Sequence, residues 1–322
     1  VGRLARVSGS PKPARVFVSP RVNAAVFYDL SLLNLVFPSR KNLEIGLPLV
    51  NVLTLCELKA VLAHEFGHFA QRSMAVGRWV YIAQQIAGHL IGKRDALDAF
   101  LNGLSRFDIR VAWIGWILTI VVWSIRSIAE SAFKLVVLAQ RALSREMEFQ
   151  ADLVAVSVTG SEALIHALHR LGAADAAWDR AIGFANTQMA KGHSTSDLLA
   201  VQTRVLENLR VVLDDPHYGA LPARDEAAAS AQQRLFKPDV AQTSRMWATH
   251  PDNHEREANT KRIFVAAPLD ETPAWQLFQE AQPLRERVTA HMIKHVEKPG
   301  APLPMDQALA ALDAEYARES FH

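Results

Sequence analysis

The 322-residue chain contains almost no cysteine and almost no excess of charge of one sign. Its single cysteine, Cys56, excludes an intrachain disulfide and a zinc site built from cysteine pairs. Lys and Arg (35) nearly balance Asp and Glu (33), so the chain offers no strongly basic surface to a nucleic acid. Hydrophobic residues make up 50% of the chain, which excludes a disordered or low-complexity protein. We therefore expect a folded protein of one or two domains that does not bind nucleic acid.

The sequence also lacks an uninterrupted hydrophobic stretch long enough to span a bilayer, which takes about 20 residues. Residues 79–92 and 111–125 are uncharged but shorter. Arg110 and Arg126 flank the second stretch and can extend its reach toward the lipid head groups. Two alternatives stay open, a membrane-embedded helical hairpin and two buried helices. The first residues do not show the pattern of a signal peptide, in which a charged segment is followed by an apolar stretch and a cleavage site. We therefore expect no signal peptide.

Local patterns predict a mainly helical protein with a small β-sheet. A β-branched and aromatic run between prolines predicts a short strand over residues 15–19, and alternating apolar residues predict a second one over residues 43–47. Thr54 and Glu57 have the spacing of a capping box, and the apolar residues that follow them recur at helical intervals. These signals predict a helix over residues 55–72. Further helices are predicted over residues 133–171 with a break at Gly160, and over residues 194–213, 223–236 and 305–318.

A metal-binding motif lies on the helix predicted over residues 55–72. The residues His64-Glu65-Phe66-Gly67-His68 form an HExxH pattern. Residues four apart lie on one helix face, so His64 and His68 can present both imidazoles to one tetrahedral zinc ion. Glu65 lies beside the open position of such an ion, where it can accept a proton from water and pass it to a leaving amine. The alternative is two histidines and a glutamate on an ordinary polar helix face.

A catalytic zinc site needs a third protein ligand. A third histidine six residues after the second is excluded because that position is Met74, and no glutamate occurs between Glu65 and Glu130. The remaining candidates are Glu130, Glu146 and Glu148. We favour Glu148, because only it has an acidic residue, Asp152, four positions further along one helix face, where that carboxylate can accept a proton from a ligand imidazole.

These residues resemble a known family. HExxH followed distantly by Arg145-Glu146-Met147-Glu148-Phe149-Gln150-Ala151-Asp152 is similar to the gluzincin family of integral membrane zinc endopeptidases, which contains the CAAX prenyl endoprotease and the HtpX-like heat-shock proteases. The segments Asn23-Ala24-Ala25 and Thr249-His250-Pro251 with Arg256 also match the family's pattern, except that Ala25 replaces its usual Phe. The resemblance covers about residues 14–72, 140–160 and 245–265.

The resemblance implies the roles of the site residues. His64, His68 and Glu148 would bind one zinc ion, Glu65 would act as general base, and Asp152 would orient a ligand histidine. His250 and Arg256 would lie near the site, where they would stabilise the oxyanion or the active-site helix. The family's fold is mainly helical with a small sheet whose edge strand receives the substrate, and residues 43–47 are our candidate for that strand.

We therefore expect a zinc-dependent metalloendopeptidase that acts on polypeptides and associates with a membrane. Its domain would cover residues 1–265, with an apolar helical hairpin inserted at about residues 74–130, and residues 266–322 would form a C-terminal helical extension. The resemblance implies a bacterial inner-membrane location with the active site facing the cytoplasm. The alternative is a catalytically silent, membrane-associated scaffold that keeps the same fold. Two other histidine pairs, His166 with His169 and His291 with His295, are expected at the surface.

Overall fold

A computed structural model describes residues 1–28, 41–70, 112–221, 231–236, 251–294, 296 and 300–319. The chain divides into two compact units, residues 1–70 with 148–322 and residues 71–147. As predicted, the described residues are mainly helical with a small sheet. The helices are α1 (Gly2–Val7), α2 (Leu47–Val50), α3 (Leu55–Ala70), α4 (Ala112–Thr159), α5 (Ser161–Ala190), α6 (Leu198–Val212), α7 (Asn253–Arg262), α8 (Ala281–Ile293) and α9 (Met305–Glu319), with a 3-10 helix at Ala274–Leu277. The strands are β1 (Arg15–Ser19), β2 (Ala24–Tyr28), β3 (Lys41–Gly46), β4 (His193–Ser194) and β5 (Ala301–Pro302).

The three-stranded sheet has the order β1-β3-β2. β1 runs parallel to β3 and β2 runs antiparallel to it, so that both Val16 and Val26 lie opposite Leu43. The strand predicted over residues 43–47 is therefore confirmed as a strand, but its expected place at the edge of the sheet is wrong. β3 is central because β2, which the sequence patterns did not predict, pairs with its second side. Burial agrees with this position, since Leu43 and Ile45 are buried whereas β1 is largely exposed.

The capping box at the start of α3 is confirmed. The Thr54 backbone N–H donates to Oε2 of Glu57 at 2.8 Å, and the Glu57 backbone N–H donates to Oγ1 of Thr54 at 3.4 Å. Apolar residues of α3 join the core and pack on α5 and β2. Glu57 itself is buried, and its carboxylate also pairs with Arg170 of α5 at 3.0 Å. The first turn of α3 is thus held both locally and by its neighbour.

The predicted break at Gly160 separates α4 from α5. Gly160 has a φ of +83°, a left-handed conformation that side chains rarely adopt, and a Cβ atom there would lie 2.6 Å from Cβ of Ala267. α5 packs along α6, which begins at Leu198 rather than at residue 194 because the Asp197 side chain caps its first turn. The helix predicted over residues 223–236 is not found at residues 231–236, which form turns, and residues 222–230 lie outside the described residues.

The expectation that His166 lies at the surface is wrong. His166 is buried, and its Nε2 lies 3.1 Å from the Glu162 carboxylate one helical turn away. His291 is exposed as expected, and His295 lies outside the described residues.

The second unit is described only from residue 112 to residue 147, as part of α4. Among its described side chains, the exposed large apolar ones are Trp113, Ile117, Ile120, Val121, Trp123, Ile128 and Leu143. The apolar stretch at residues 79–92 lies outside the described residues.

In the part of the chain that the structure describes, no helix by itself has both the length and the hydropathy of a membrane span. The segments Leu143–Thr159 and Ser161–Ala190, which meet at an angle of 119°, satisfy both criteria only as a pair.

Candidate metal centre

Three side chains from two helices meet at one point. His64 and His68 lie one turn apart on α3, and Glu148 lies on α4. The Nε2 atoms of the two histidines are 3.2 Å apart, and each lies 3.3 Å from a different oxygen of the Glu148 carboxylate. Among the described residues, these three form a group of potential metal ligands. The structure thus brings together the third ligand that we favoured and the HExxH histidines. Of the two other candidates, Glu146 is exposed, and the side chain of Glu130 lies outside the described residues.

The spacing of the three ligand atoms fits a tetrahedral zinc ion. Zinc bonds to nitrogen and oxygen ligands are about 2.0–2.1 Å long, so neighbouring ligand atoms at the corners of a tetrahedron lie about 3.3–3.4 Å apart. The 3.2 Å between the two Nε2 atoms, and the 3.3 Å from each Nε2 to one oxygen of the Glu148 carboxylate, match that edge length. Two imidazoles and one carboxylate also leave the fourth corner for water, as in catalytic rather than structural zinc sites. The residues present therefore fit a zinc ion.

Asp152 sets the orientation of His64. Its Oδ1 atom lies 2.9 Å from Nδ1 of His64, so Nδ1 carries the proton and the lone pair on Nε2 faces Glu148 and His68. Arg256 on α7 in turn holds the Asp152 carboxylate through both of its oxygens, with Nε donating at 2.9 Å and an Nη atom donating to Oδ1. His64, Asp152 and Arg256 are all fully buried, so this chain of contacts is shielded from water.

The charges of these groups shift their pKa values. Burial by itself would lower the pKa of His64, but its hydrogen bonds to Asp152 and Glu148 outweigh burial and raise the pKa to about 9. Burial would raise the pKa of Asp152, yet the adjacent Arg256 guanidinium holds it below the ordinary value. The cluster around Nε2 of His64 therefore favours a positive charge, whether that charge is a proton or a metal ion.

Glu65 is a buried carboxylate next to the three ligands. It is 9% exposed, and burial raises its pKa above the ordinary value for glutamate. The charges of His64 and His68 act on Glu65 in the opposite direction, which reflects how close it lies to them. A carboxylate with a raised pKa is suited to accept and return a proton near neutral pH.

Of the two residues expected near the site, Arg256 is described by the structure and His250 is not. Arg256 contacts Asp152 on the Nδ1 side of His64, opposite the side that faces the other two ligands. These contacts favour the expected role of stabilising the active-site helix over the expected role at an oxyanion. His250 lies outside the described residues, so its expected role stays a prediction.

Sequence patterns missed two residues that hold α4 against the rest of the site. Asn259 on α7 donates from Nδ2 to the backbone carbonyl of Phe149 at 3.0 Å, next to Glu148. Gly67, inside the HExxH motif, allows α3 to approach α4 closely, since a Cβ atom there would lie 2.9 Å from Cα of Ala151. The glycine was visible in the motif, but nothing local indicated which helix it faces.

The chain is similar to known proteases. The sequence model of the family described as peptidase family M48 matches residues 3–263. A curated protein named Protease HtpX homolog 2, from Methanosarcina acetivorans, is 31% identical over 163 residues, which cover 51% of this chain and 50% of that protein. A protein of the same name from Methanosarcina mazei is 29% identical over 163 residues, with the same coverage. The chain thus spans about half the length of the curated relatives it matches. No solved structure matches it.

Proposed function

Because this chain belongs to peptidase family M48, we propose that it is a zinc-dependent endopeptidase that hydrolyses peptide bonds in polypeptide substrates. The observation that carries the proposal is the meeting of three potential ligands, in which the two Nε2 atoms lie 3.2 Å apart and each lies 3.3 Å from one oxygen of the Glu148 carboxylate, with a buried glutamate beside them. His64, His68 and Glu148 would hold the ion. Zinc in such a site supplies Lewis acidity, which polarises a carbonyl group and lowers the pKa of water toward about 7.

Glu65 would be the proton carrier of the reaction. Its raised pKa allows it to accept a proton from the attacking water and then to donate that proton to the departing amine nitrogen. Asp152 and Arg256 would act as positioning residues. By accepting the Nδ1 proton of His64, the Asp152 carboxylate keeps Nε2 free to bind the ion, and Arg256 keeps that carboxylate ionised inside the protein.

We further propose that the protein works at a membrane. The resemblance described above implies it, and the exposed tryptophans and isoleucines along α4 support it, because Trp113, Trp123 and Ile128 are 59%, 68% and 70% exposed. Exposed clusters of this kind mark contact with lipid or with another protein. A bacterial inner-membrane location with the site facing the cytoplasm stays a prediction, as does membrane insertion of a hairpin at residues 74–130. The domain boundary at residue 265 is likewise proposed.

The proposal is tested by replacing Glu65 with glutamine and measuring zinc content and cleavage of an unfolded polypeptide in mild detergent. We expect Glu65→Gln to retain zinc and to lose roughly 100- to 10,000-fold in the rate of cleavage, the usual contribution of a general acid-base group. Cleavage by the variant at the wild-type rate would refute the role of Glu65. Zinc-loaded wild-type protein that cleaves no polypeptide would favour the silent scaffold instead.

A matched pair of variants tests the ligand set. Glu148 and Glu146 lie two residues apart on α4, but only Glu148 contacts the histidines, and Glu146 is exposed. We expect Glu148→Gln to lose tightly bound zinc and Glu146→Gln to bind zinc as the wild type does. Equal zinc affinity in the two variants would contradict the proposed ligand set.

A further inference from the structure

The chain reverses its direction directly after α1, at Gly9 and Ser10. The backbone N–H of Gly9 donates to the carbonyl of Arg6, and that of Ser10 donates to the carbonyl of Ala5 at 2.8 Å. With Gly9 at a φ of +67°, these two hydrogen bonds form a Schellman motif. The chain therefore reverses direction and returns toward α1, where the Lys12 side chain lies over Gly2 with its Cε atom 3.5 Å from the position of a Cβ.

This reversal borders an open cavity lined mainly by basic side chains. A cavity of about 390 Å³, here named the α1 basic pocket, is lined by Gly2, Arg3, Arg6, Ser10 and Lys12. Arg3, Arg6 and Lys12 are exposed, whereas Ala5 on the opposite side of α1 is fully buried in the core, and α1 packs on α3. The pocket is thus anchored to the first unit and faces solvent.

No negative charge on the nearby chain neutralises the pocket. Residues 1–28 contain five basic residues and no acidic one, although the whole chain is nearly balanced at +2. Within the residues that the structure describes, no carboxylate pairs with Arg3, Arg6 or Lys12. Three cations around one cavity repel each other, so an anion that enters the cavity relieves this repulsion.

We propose that the α1 basic pocket binds a phosphate group. Two guanidinium groups can each donate a pair of hydrogen bonds to phosphate oxygens, and the Lys12 ammonium adds a third positive charge. The cavity also falls within the size range of small-molecule sites, so it can hold a phosphate together with the group that carries it. That carrier is either a lipid with a phosphate in its head group or a soluble phosphate compound, and both present the same chemistry to the pocket.

The test measures binding to the full chain by calorimetry, with inorganic phosphate and with short-chain phosphatidylglycerol below its micelle concentration as separate probes. Short-chain phosphatidylcholine, whose phosphate is neutralised by choline, is the lipid control. The triple variant Arg3→Gln, Arg6→Gln, Lys12→Gln removes the three cations, all of which lie at exposed positions. A matched control, Lys191→Gln, Arg287→Gln, Lys294→Gln, removes the same charge from exposed positions elsewhere.

We expect the wild type and the control to bind a phosphate probe and the triple variant to bind it at least about tenfold more weakly, the effect of losing even one charge-assisted hydrogen bond. Binding of phosphatidylglycerol with little binding of inorganic phosphate would identify a lipid head group as the ligand. The reverse would identify a soluble phosphate. Equal affinities in the triple variant and the control, or no binding of either probe to the wild type, would overturn the proposal. Zinc content and peptidase activity serve as independent readouts, because none of the three residues contacts the candidate metal centre.

Discussion

A methyl group added at Gly67 would enter the contact between the helix that carries both histidines and the helix that carries Glu148. The new Cβ atom of Gly67→Ala would lie 2.9 Å from Cα, 3.1 Å from Cβ and 3.3 Å from the carbonyl oxygen of Ala151. Carbon atoms in contact normally lie about 3.5–4.0 Å apart. The helices α3 and α4 must therefore separate by about 0.5 Å or more, because the atoms in the way belong to the backbone.

Two opposing effects set the change in stability. Overpacking of this kind costs about 1–3 kcal/mol, whereas replacing glycine by alanine inside a helix contributes about 1 kcal/mol in favour of folding. We expect Gly67→Ala to change the free energy of unfolding by between about 0 and −2 kcal/mol. The effect on zinc is larger, because ligand distances tolerate only about 0.2 Å and Glu148 lies one turn from Ala151. We expect a loss of about 10- to 100-fold in zinc affinity, as for other changes that displace a ligand.

Gly183→Ala provides the matched control. Gly183 also lies inside a helix, α5, but a Cβ atom there would meet no other atom within 4 Å. The control should gain up to about 1 kcal/mol and keep wild-type zinc affinity. Zinc affinity is measured by competition with a chromophoric chelator, and stability by urea unfolding of the metal-free protein. If Gly67→Ala gains stability as Gly183→Ala does and binds zinc equally well, the close approach of the two helices does not position Glu148, and the reasoning is wrong.

Three further changes test the groups behind the metal ligands. Asp152→Asn should weaken zinc binding by about 10- to 100-fold, measured by the same competition, because a neutral amide oxygen attracts the Nδ1 proton of His64 less strongly than a carboxylate does. Wild-type affinity would contradict the importance of the contact seen at 2.9 Å. Arg256→Met should destabilise the protein by about 3–5 kcal/mol in urea unfolding, because it leaves the buried Asp152 carboxylate without its cation. The exposed-site variant Arg287→Met is the control, and equal stability of the two variants would show that the ion pair is not needed. The pKa of His64 near 9 in the metal-free protein lies above its unfolded value of about 6.5, so its contribution to stability is complete below pH 6.5 and is lost as the pH rises through about 9. Urea unfolding of the metal-free protein should show this decrease in stability, while zinc affinity should increase over the same pH range. A His64→Gln variant should not show the decrease. A wild-type stability that increases between about pH 6.5 and about pH 9 would refute the prediction.

Short-range patterns were enough to predict the central helix and part of the metal centre. The capping box at Thr54 and the histidine spacing on α3 depend on residues three or four positions apart, and a helix brings such residues together whatever surrounds it. Gly160 was likewise predicted as a break between helices, and its φ of +83° explains why a glycine is needed there.

Contacts between segments far apart in the chain were harder to predict from the sequence. The strand at residues 43–47 was found by its alternation, but its central place depends on β2, and strand order is not encoded in the pattern of one strand. His166 was expected at the surface because one histidine carries no signal of burial, yet its partner Glu162 and the surrounding core enclose it.

The sequence by itself determined the helix of the HExxH motif, the two histidines on one of its faces, Glu65 between them and a short list of glutamates for the third ligand position. Only the tertiary structure decided that Glu148 meets those histidines while Glu146 does not, that Arg256 reaches Asp152 across 104 positions, and that Gly67 allows the two helices to touch. The physical reason is that hydrogen bonds within a helix depend on neighbours in the chain, whereas packing and ion pairing between helices depend on which surfaces the whole core brings into contact.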